Sequence, residues 1–181
     1  MSQQVFDPIH EGFGTTPPVY PTGWPIKDKI NIEPIKKHTA TKIYKLHHAY
    51  RNRKRAGTDY GIMLDGQLVG AVTFNAWPSA GTIRGYKSKS IREVARVCVV
   101  NETPNLASCA MSKAQEAYVK KCSSNVKMLI TYIHEDYEGS MFKALQGKGW
   151  EYDGYSEPHT GYSHNQKAEF GKQRWVCELD Q

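Results

Sequence analysis

The apolar positions of this chain change period several times, and each change marks an element. Between residues 60 and 74, in "YGIMLDGQLVGAVTF", two apolar runs flank Asp65-Gly66. That pair suits a type I′ turn, whose two central residues need positive φ, so the stretch reads as a β-hairpin. "REVARVCVV" (92–100) alternates and ends in β-branched residues, as a half-buried strand does. In "NETPNLASCAMSKAQEAYVKKC" (101–122), Leu106, Ala110, Ala114, Ala117 and Tyr118 line one helical face, with Thr103 as the expected N-cap and Pro104 at the first position. "KMLITYI" (127–133) reads as a buried strand and "QRWVCEL" (173–179) as the last one. Between them, "GSMFKALQGKGW" (139–150) predicts a short helix capped by Ser140 and stopped by Gly147 or Gly149.

Upstream of the hairpin, Ile35, His38, Ile43, Leu46 and Tyr50 mark one side of a helix starting near Glu33, and Lys36, Lys37, Lys42 and Lys45 the other. Residues 1–26 mix proline, glycine and aromatics with no period and read as an extended arm. The expected division is therefore an N-terminal arm (1–32) and one domain (33–181). Its order of helix, hairpin, strand, helix, strand, helix, strand predicts an α+β fold. This is a mixed sheet flanked by helices, with 92–133 forming a right-handed β-α-β crossover.

At 181 residues and 39% hydrophobic, the chain can bury one ordinary core. Cys98, Cys109, Cys122 and Cys177 stand far apart without a C-x-x-C pair, which argues against a zinc ribbon or a disulfide framework. No run is long and apolar enough for a membrane span. A protein of a reducing cytoplasm is expected. The net charge of +6 is local: residues 27–55 hold ten Lys or Arg against Asp28 and Glu33, so the rest of the chain is slightly acidic. That cluster is either a solvated helix face or a grip for an acidic partner such as nucleic acid.

Candidate chemistry collects at strand ends. The junction "VVNETPNLASCA" brings a strand end to a helix N-terminus, where free N–H groups and the dipole attract phosphate, with Asn105 and Ser108 placed to help or merely to cap. Arg96 sits inside an apolar strand, where burial demands a partner. Glu93 lies an odd number of residues away and so on the other face. His47 and His48 point about 100° apart on a helix, so at best one faces a site. "YIHEDYE" (132–138) brings His134, Glu135 and Asp136 to a strand end as candidates for a general base. These histidines and carboxylates are also chemically able to bind a metal ion. "GYSEPHTGYSHNQK" (154–167) interleaves aromatic and basic groups in a polar loop suited to base stacking.

The order of elements, ending in "GKGW", resembles the GNAT acyltransferase fold over roughly residues 33–179. One departure is "NETPNLAS", which stands where GNAT enzymes carry an Arg/Gln-x-x-Gly-x-Gly/Ala pyrophosphate loop. Within that superfamily, "HHAYR", "EVARVCV", "PNLAS" and "LITYIHEDYEGSMFKA" resemble phage GNAT-like proteins related to the Mom DNA-modification family. The resemblance implies transfer of a methylcarbamoyl-type group to adenine N6, which shields DNA from host restriction, in the host cytoplasm if the chain is phage-encoded. Its His-Tyr motif falls on His48 with Tyr50 displaced by Ala49, Glu-x-x-Arg on Glu93 and Arg96, Asn-x-x-Ser on Asn105 and Ser108, and Ser/Thr-Tyr on Thr131 and Tyr132. The acidic residue expected two after the tyrosine is His134 here, with Glu135 and Asp136 as substitutes, and the tyrosine expected on the following helix is Phe142.

The resemblance thus implies a catalytic set of His48, Tyr50, Arg96, Tyr132, His134 and Asp136. Val99, Asn105, Ser108 and Thr131 are implied to hold acetyl-CoA or a related acyl donor. Lys45, Arg51, Arg53, Lys54, Arg55, His164 and Lys167 are expected on double-stranded DNA. The arm could also cross to a second copy in a homodimer. An acyl-CoA-dependent N-acetyltransferase acting on a protein or small amine is the alternative function, and a non-catalytic DNA-binding module on the same scaffold is another.

Overall fold

The computed structural model describes residues 19–48, 57–136, 139–157 and 171–180. Among the described residues, nine strands form a seven-stranded mixed sheet and a separate two-stranded ribbon. The strands are β1 (Ile30–Pro34), β2 (Thr58–Leu64), β3 (Gln67–Ala76), β4 (Thr82–Ile83), β5 (Tyr86–Lys87), β6 (Ile91–Val99), β7 (Met128–His134), β8 (Trp150–Ser156) and β9 (Lys172–Glu178). The helices are α1 (Lys37–His47), α2 (Leu106–Val119) and α3 (Ser140–Ala144). The large sheet runs β1-β2-β3-β6-β7-β9-β8 and the ribbon is β4-β5. The α+β expectation of a mixed sheet flanked by helices holds, and β6 and β7 are parallel, as a β-α-β crossover requires.

The chain packs as two compact units, Met1–Asn75 with Val94–Ser123, and Ala76–Glu93 with Ser124–Gln181. In the first, Asp65 (φ 50°) and Gly66 (φ 78°) make the expected turn between β2 and β3. Both faces of this hairpin are covered, which is why its strands read as near-continuous apolar runs. On one face, Ala40, Ile43 and Tyr44 of α1 pack against Met63, Leu68, Ala71 and Cys98. On the other, Phe74 stacks on Tyr118 of α2 with ring centroids 4.2 Å apart, and Tyr60 meets Phe74 edge-on. At the sheet edge, the Lys113 ammonium on α2 donates to the carbonyls of Lys27 and Ile30.

Several expectations about this unit are corrected. The helix does not start near Glu33. Ile30–Pro34 is instead a strand antiparallel to β2, and Pro34, which lacks an N–H, is tolerated because β1 is an edge. The buried face of α1 is Ala40, Ile43 and Tyr44, while His38 and Leu46 are exposed. α2 begins at Leu106 rather than beside Pro104, with Asn105 in the left-handed region (φ 63°) at its N-cap. Thr103 is not the N-cap: its carbonyl accepts the Leu106 N–H (3.2 Å), its hydroxyl accepts the Tyr20 N–H (2.9 Å), and its own N–H donates to Asn101 Oδ1 (2.9 Å).

In the second unit, Trp77, Ile83, Ile91, Met128, Ile130 and Val176 form one core cluster. Phe142, Trp150 and Trp175 form an aromatic set, with Phe142 and Trp150 centroids 4.6 Å apart. α3 is shorter than expected, ending at Ala144 before a 3₁₀ turn (Gln146–Lys148) and Gly149 at φ 90°. The ribbon β4-β5 lies in a stretch to which the sequence pattern assigns no element, and β8 occupies residues assigned partly to the helix end and partly to the polar loop.

Gly70 marks the tightest backbone approach in the first unit. A Cβ there would stand 2.2 Å from the Cys98 carbonyl oxygen, whereas one at Gly66 would meet nothing within 4 Å. Gly70→Ala is expected to destabilise by roughly 2–4 kcal/mol because the strands must separate. Gly66→Ala costs only about 1 kcal/mol, from its positive φ. Urea midpoints of the two variants check the order.

Candidate functional site

In the second unit the chemistry gathers around Tyr132. Successive residues of β7 point to opposite faces. Thr131 is buried, while the half-buried Tyr132 packs against the Trp77 cluster. Trp77 Nε1 donates to the Tyr132 hydroxyl at 3.2 Å. Arg174 stands directly opposite Tyr132 in the β7–β9 ladder, and its positive charge acts on the same phenol. Burial pushes the Tyr132 phenol above its ordinary value, as does the charge of Glu93, against the lowering effects of Trp77 and Arg174. At neutral pH the phenol keeps its proton.

The support of Arg174 comes from a β-bulge. In the β8–β9 ladder Tyr152 faces Trp175 and Gly154 faces Arg174, so Asp153 is the extra residue. A bulge re-aims a side chain. Here the largely buried Asp153 carboxylate accepts from Arg174 Nε at 2.7 Å and from Arg84 Nε at 2.8 Å. Arg84, at φ 48° in the β4–β5 turn, also reaches Glu151 (2.8 Å) and Glu178 (3.4 Å). Tyr86 donates to Glu178 (3.3 Å), which further ties the ribbon to β9.

His134 shares the Tyr132 face of β7 by strand period. Its Nδ1 accepts the Asp136 N–H at 3.0 Å and lies 3.6 Å from the exposed Asp136 carboxylate, so these two form a local turn. Glu135 accepts a hydrogen bond from Tyr155, which holds its carboxyl below the usual range. Phe142 is buried among Trp150 and Trp175.

In the first unit the predicted residues meet in a different cluster. His48 closes α1, its N–H bonded to the Tyr44 carbonyl, and its ring stands edge-on to Tyr44 at 5.8 Å. Thr73 donates to Asp59 Oδ1 at 2.7 Å. With its one proton so used, Thr73 must accept from the Tyr44 hydroxyl at 2.7 Å, giving a buried run Tyr44–Thr73–Asp59. Burial and the nearby Arg96 charge lower His48 to about 4. The half-buried Arg96 also donates to the Ala95 carbonyl at 2.6 Å. Glu93 and Arg96 therefore serve two separate clusters, Glu93 acting on Tyr132 and Arg96 on His48 and Tyr44. His47, also lowered by burial, has a buried Nε2 without a partner. Cys98 is pushed up by burial to about 12, so it is an inert thiol.

At the start of α2 the Ser108 hydroxyl donates to the Asn105 carbonyl at 3.1 Å, and the Asn105 side chain makes no cap bond. The first-turn amides of Ala107 and Ser108 have no acceptor within the helix. Val99 ends β6, half-buried. On α1, Lys37, His38, Thr41, Lys42, Lys45 and Leu46 line an open groove of about 780 Å³. Lys45 is the one predicted DNA contact among the described residues. Tyr50, Arg51, Arg53, Lys54, Arg55, His164 and Lys167 lie outside them. Among the described residues no three His, Cys, Asp or Glu gather as a metal site, and no helix is long and apolar enough to cross a membrane.

Sequence reasoning missed Trp77, Arg174, Asp153 and Arg84 in one cluster, and Tyr44, Thr73 and Asp59 in the other. The hint was local: "YDGY" carries an acidic-glycine pair inside a strand, as bulges often do.

For His48, the unfolded chain takes up a proton near 6.5 and the folded chain only near 4. Stability therefore falls as pH drops through that window, because the unfolded state then binds more protons. His48→Gln is expected to flatten the dependence of stability on pH between those values, with His47 supplying a smaller residual slope in the same direction; urea titrations at a series of pH values measure it.

The chain matches the Mom protein family over residues 29–178. No protein of curated function matches it. Among solved structures it is similar to a GNAT family acetyltransferase from Elizabethkingia anophelis with acetyl-CoA bound, at a TM-score of 0.57 and 13% identity, covering 84% of this chain and 99% of that one. It is also similar to a Bacillus subtilis acetyltransferase in complex with CoA, at 0.56 and 10%, covering 84% and 100%. The ribosomal-protein-S18-alanine N-acetyltransferase from Escherichia coli gives 0.56 and 8%, covering 84% and 95%. At such identities the likeness speaks to the fold. A GNAT-like mixed sheet, the Glu93 and Arg96 strand and the Thr131-Tyr132 strand go with a family match over most of the chain: this protein belongs to the Mom family.

Proposed function

We propose that this protein transfers an acyl-derived group, of the methylcarbamoyl type, to the exocyclic amine of adenine in DNA. The observation that carries the reading is the Tyr132 hydroxyl, a phenol neutral at pH 7 whose oxygen accepts the Trp77 Nε1–H beside the Arg174 cation. Family membership supports DNA as the acceptor, and the lysine-lined groove on α1 supports a phosphate-bearing partner.

We assign a CoA-type donor to Asn105, Ser108 and the start of α2. The first turn of the 14-residue α2 presents the amides of Ala107 and Ser108 at the positive end of the helix dipole, without a glycine loop. Such a donor supplies an activated carbonyl and a sulfur leaving group. Val99 and Thr131 are the further positions assigned to it. Tyr132 gives its proton to the departing sulfur, and its oxygen then takes the proton released by the amine. One phenol thus balances the transfer, since the amine loses one proton and the sulfur gains one. Phe142, buried and without a hydroxyl, cannot share that role. We assign His134, on the same strand face, to hydrogen-bond the acceptor. A duplex adenine has to leave the base stack first.

The test is expression in a bacterium followed by digestion of its DNA to nucleosides and mass spectrometry. A new adenosine species made by the wild type and absent with Tyr132→Phe is expected, and its mass identifies the added group. Unmodified DNA from cells holding soluble, folded protein would overturn the DNA assignment and favour a protein or small amine as acceptor. For duplex affinity, log Kd should rise linearly with log salt. Lys45→Ala should weaken binding roughly 2–5-fold at low salt and reduce that slope, as a phosphate contact does.

A further inference from the structure

The cluster around Asp153 lies outside every residue assigned a role by sequence. We infer that Arg174, clamped by Asp153, is the positioning residue that aims the Tyr132 hydroxyl and stabilises its oxygen after proton donation. The inference rests on the reading of Tyr132 as proton donor.

Residues opposite one another in an antiparallel ladder carry side chains on the same face, within reach of each other. Tyr132 and Arg174 are such a pair. A phenol oxygen has two lone pairs and one hydrogen. Trp77 Nε1 donates to one lone pair and the Arg174 cation stands on the same face, so the O–H points away from both. Arg174 is not at liberty to swing: its Nε is fixed on Asp153 Oδ2 at 2.7 Å, and its remaining N–H groups form a rigid fork. Asp153 is itself pinned, because Arg84 takes its other oxygen at 2.8 Å. Two guanidiniums share that one carboxylate, so Asp153 does not cancel the charge Arg174 brings to the phenol. Arg84 discharges its own excess on Glu151 and Glu178. Glu93, on β6, is an anion that acts on Tyr132 in the opposite sense. When the phenol gives up its proton, the charge left on its oxygen is thus met by a cation and an indole N–H already in place, with no reorganisation needed.

The experiment places fluorotyrosine, whose phenol ionises at lower pH, at position 132 of the full chain and follows its titration by fluorine NMR. Removing the cation should raise the ionisation by about one pH unit in Arg174→Gln, tenfold in the constant. Arg174→Lys, which keeps the charge and most of the volume, should restore most of the shift and guards against a variant that fails to fold. Asp153→Asn should broaden the resonance as the guanidinium loses its clamp. In the enzyme with natural tyrosine, Arg174→Gln should lower kcat about 10–100-fold with the donor KM unchanged. A folded Arg174→Gln whose titration matches the wild type would overturn the inference. A shifted titration in a protein that modifies no amine would uphold the positioning of Tyr132 and overturn the transferase reading instead.

Discussion

A carboxylate taken out of water must be met by donors, and each compact unit is organised around one that is. In the first unit Asp59 receives the Thr73 proton, which forces the Tyr44 hydroxyl to donate in turn and fixes the ring against which His48 rests. In the second, Asp153 gathers Arg174 and Arg84, which locks β9 to the β4–β5 turn and determines what stands beside Tyr132. Leaving either carboxylate unpaired would cost more than most single interactions contribute, so the neighbouring side chains have little freedom to be elsewhere. Their order is a consequence of that penalty, and the chemistry assigned to Tyr132 draws on it.

The same constraint separates the two halves of the Glu93-x-x-Arg96 pattern. Odd spacing on a strand sends the two side chains to opposite faces, and each finds a different set of partners, Tyr132 for Glu93 and the His48–Tyr44 pair for Arg96. An apparent motif is thus two independent electrostatic assignments that happen to be three residues apart. The exchange of tyrosine for Phe142 follows similar logic. The phenyl ring packs between Trp150 and Trp175 with no hydroxyl that would need a partner there.

How much of this was legible in the sequence depended on whether the signal was local. The Asp65-Gly66 turn, the face of α2 and the apolar runs of β6, β7 and β9 carry their own periodicity, and each was placed within a few residues. β1 was divided between the arm and the helix because Ile30 and Ile32 are too few to show a period of two, and the basic stretch after Pro34 imposed a helical period from Glu33. β4 and β5 are two residues each, below any pattern, and β8 is broken by its bulge. Tyr132 and His134 could be named from their strand. Arg174 and Asp153 could not, since their importance comes from pairing partners more than 20 residues away in the chain or in another strand altogether.

Strand order has a consequence for synthesis. The first unit has all its segments once residue 123 has emerged from the ribosome, but in the second β9 lies between β7 and β8 and is translated last. Domains tend to fold in the order they are made. β7 and β8 must therefore wait as unjoined strands, with the edge of each open, until Lys172–Glu178 is released and slots between them. Arg174 arrives with that final strand. A chain that still lacks Lys172–Glu178 thus holds Tyr132 without its cation, and the site is finished only once that strand has been made.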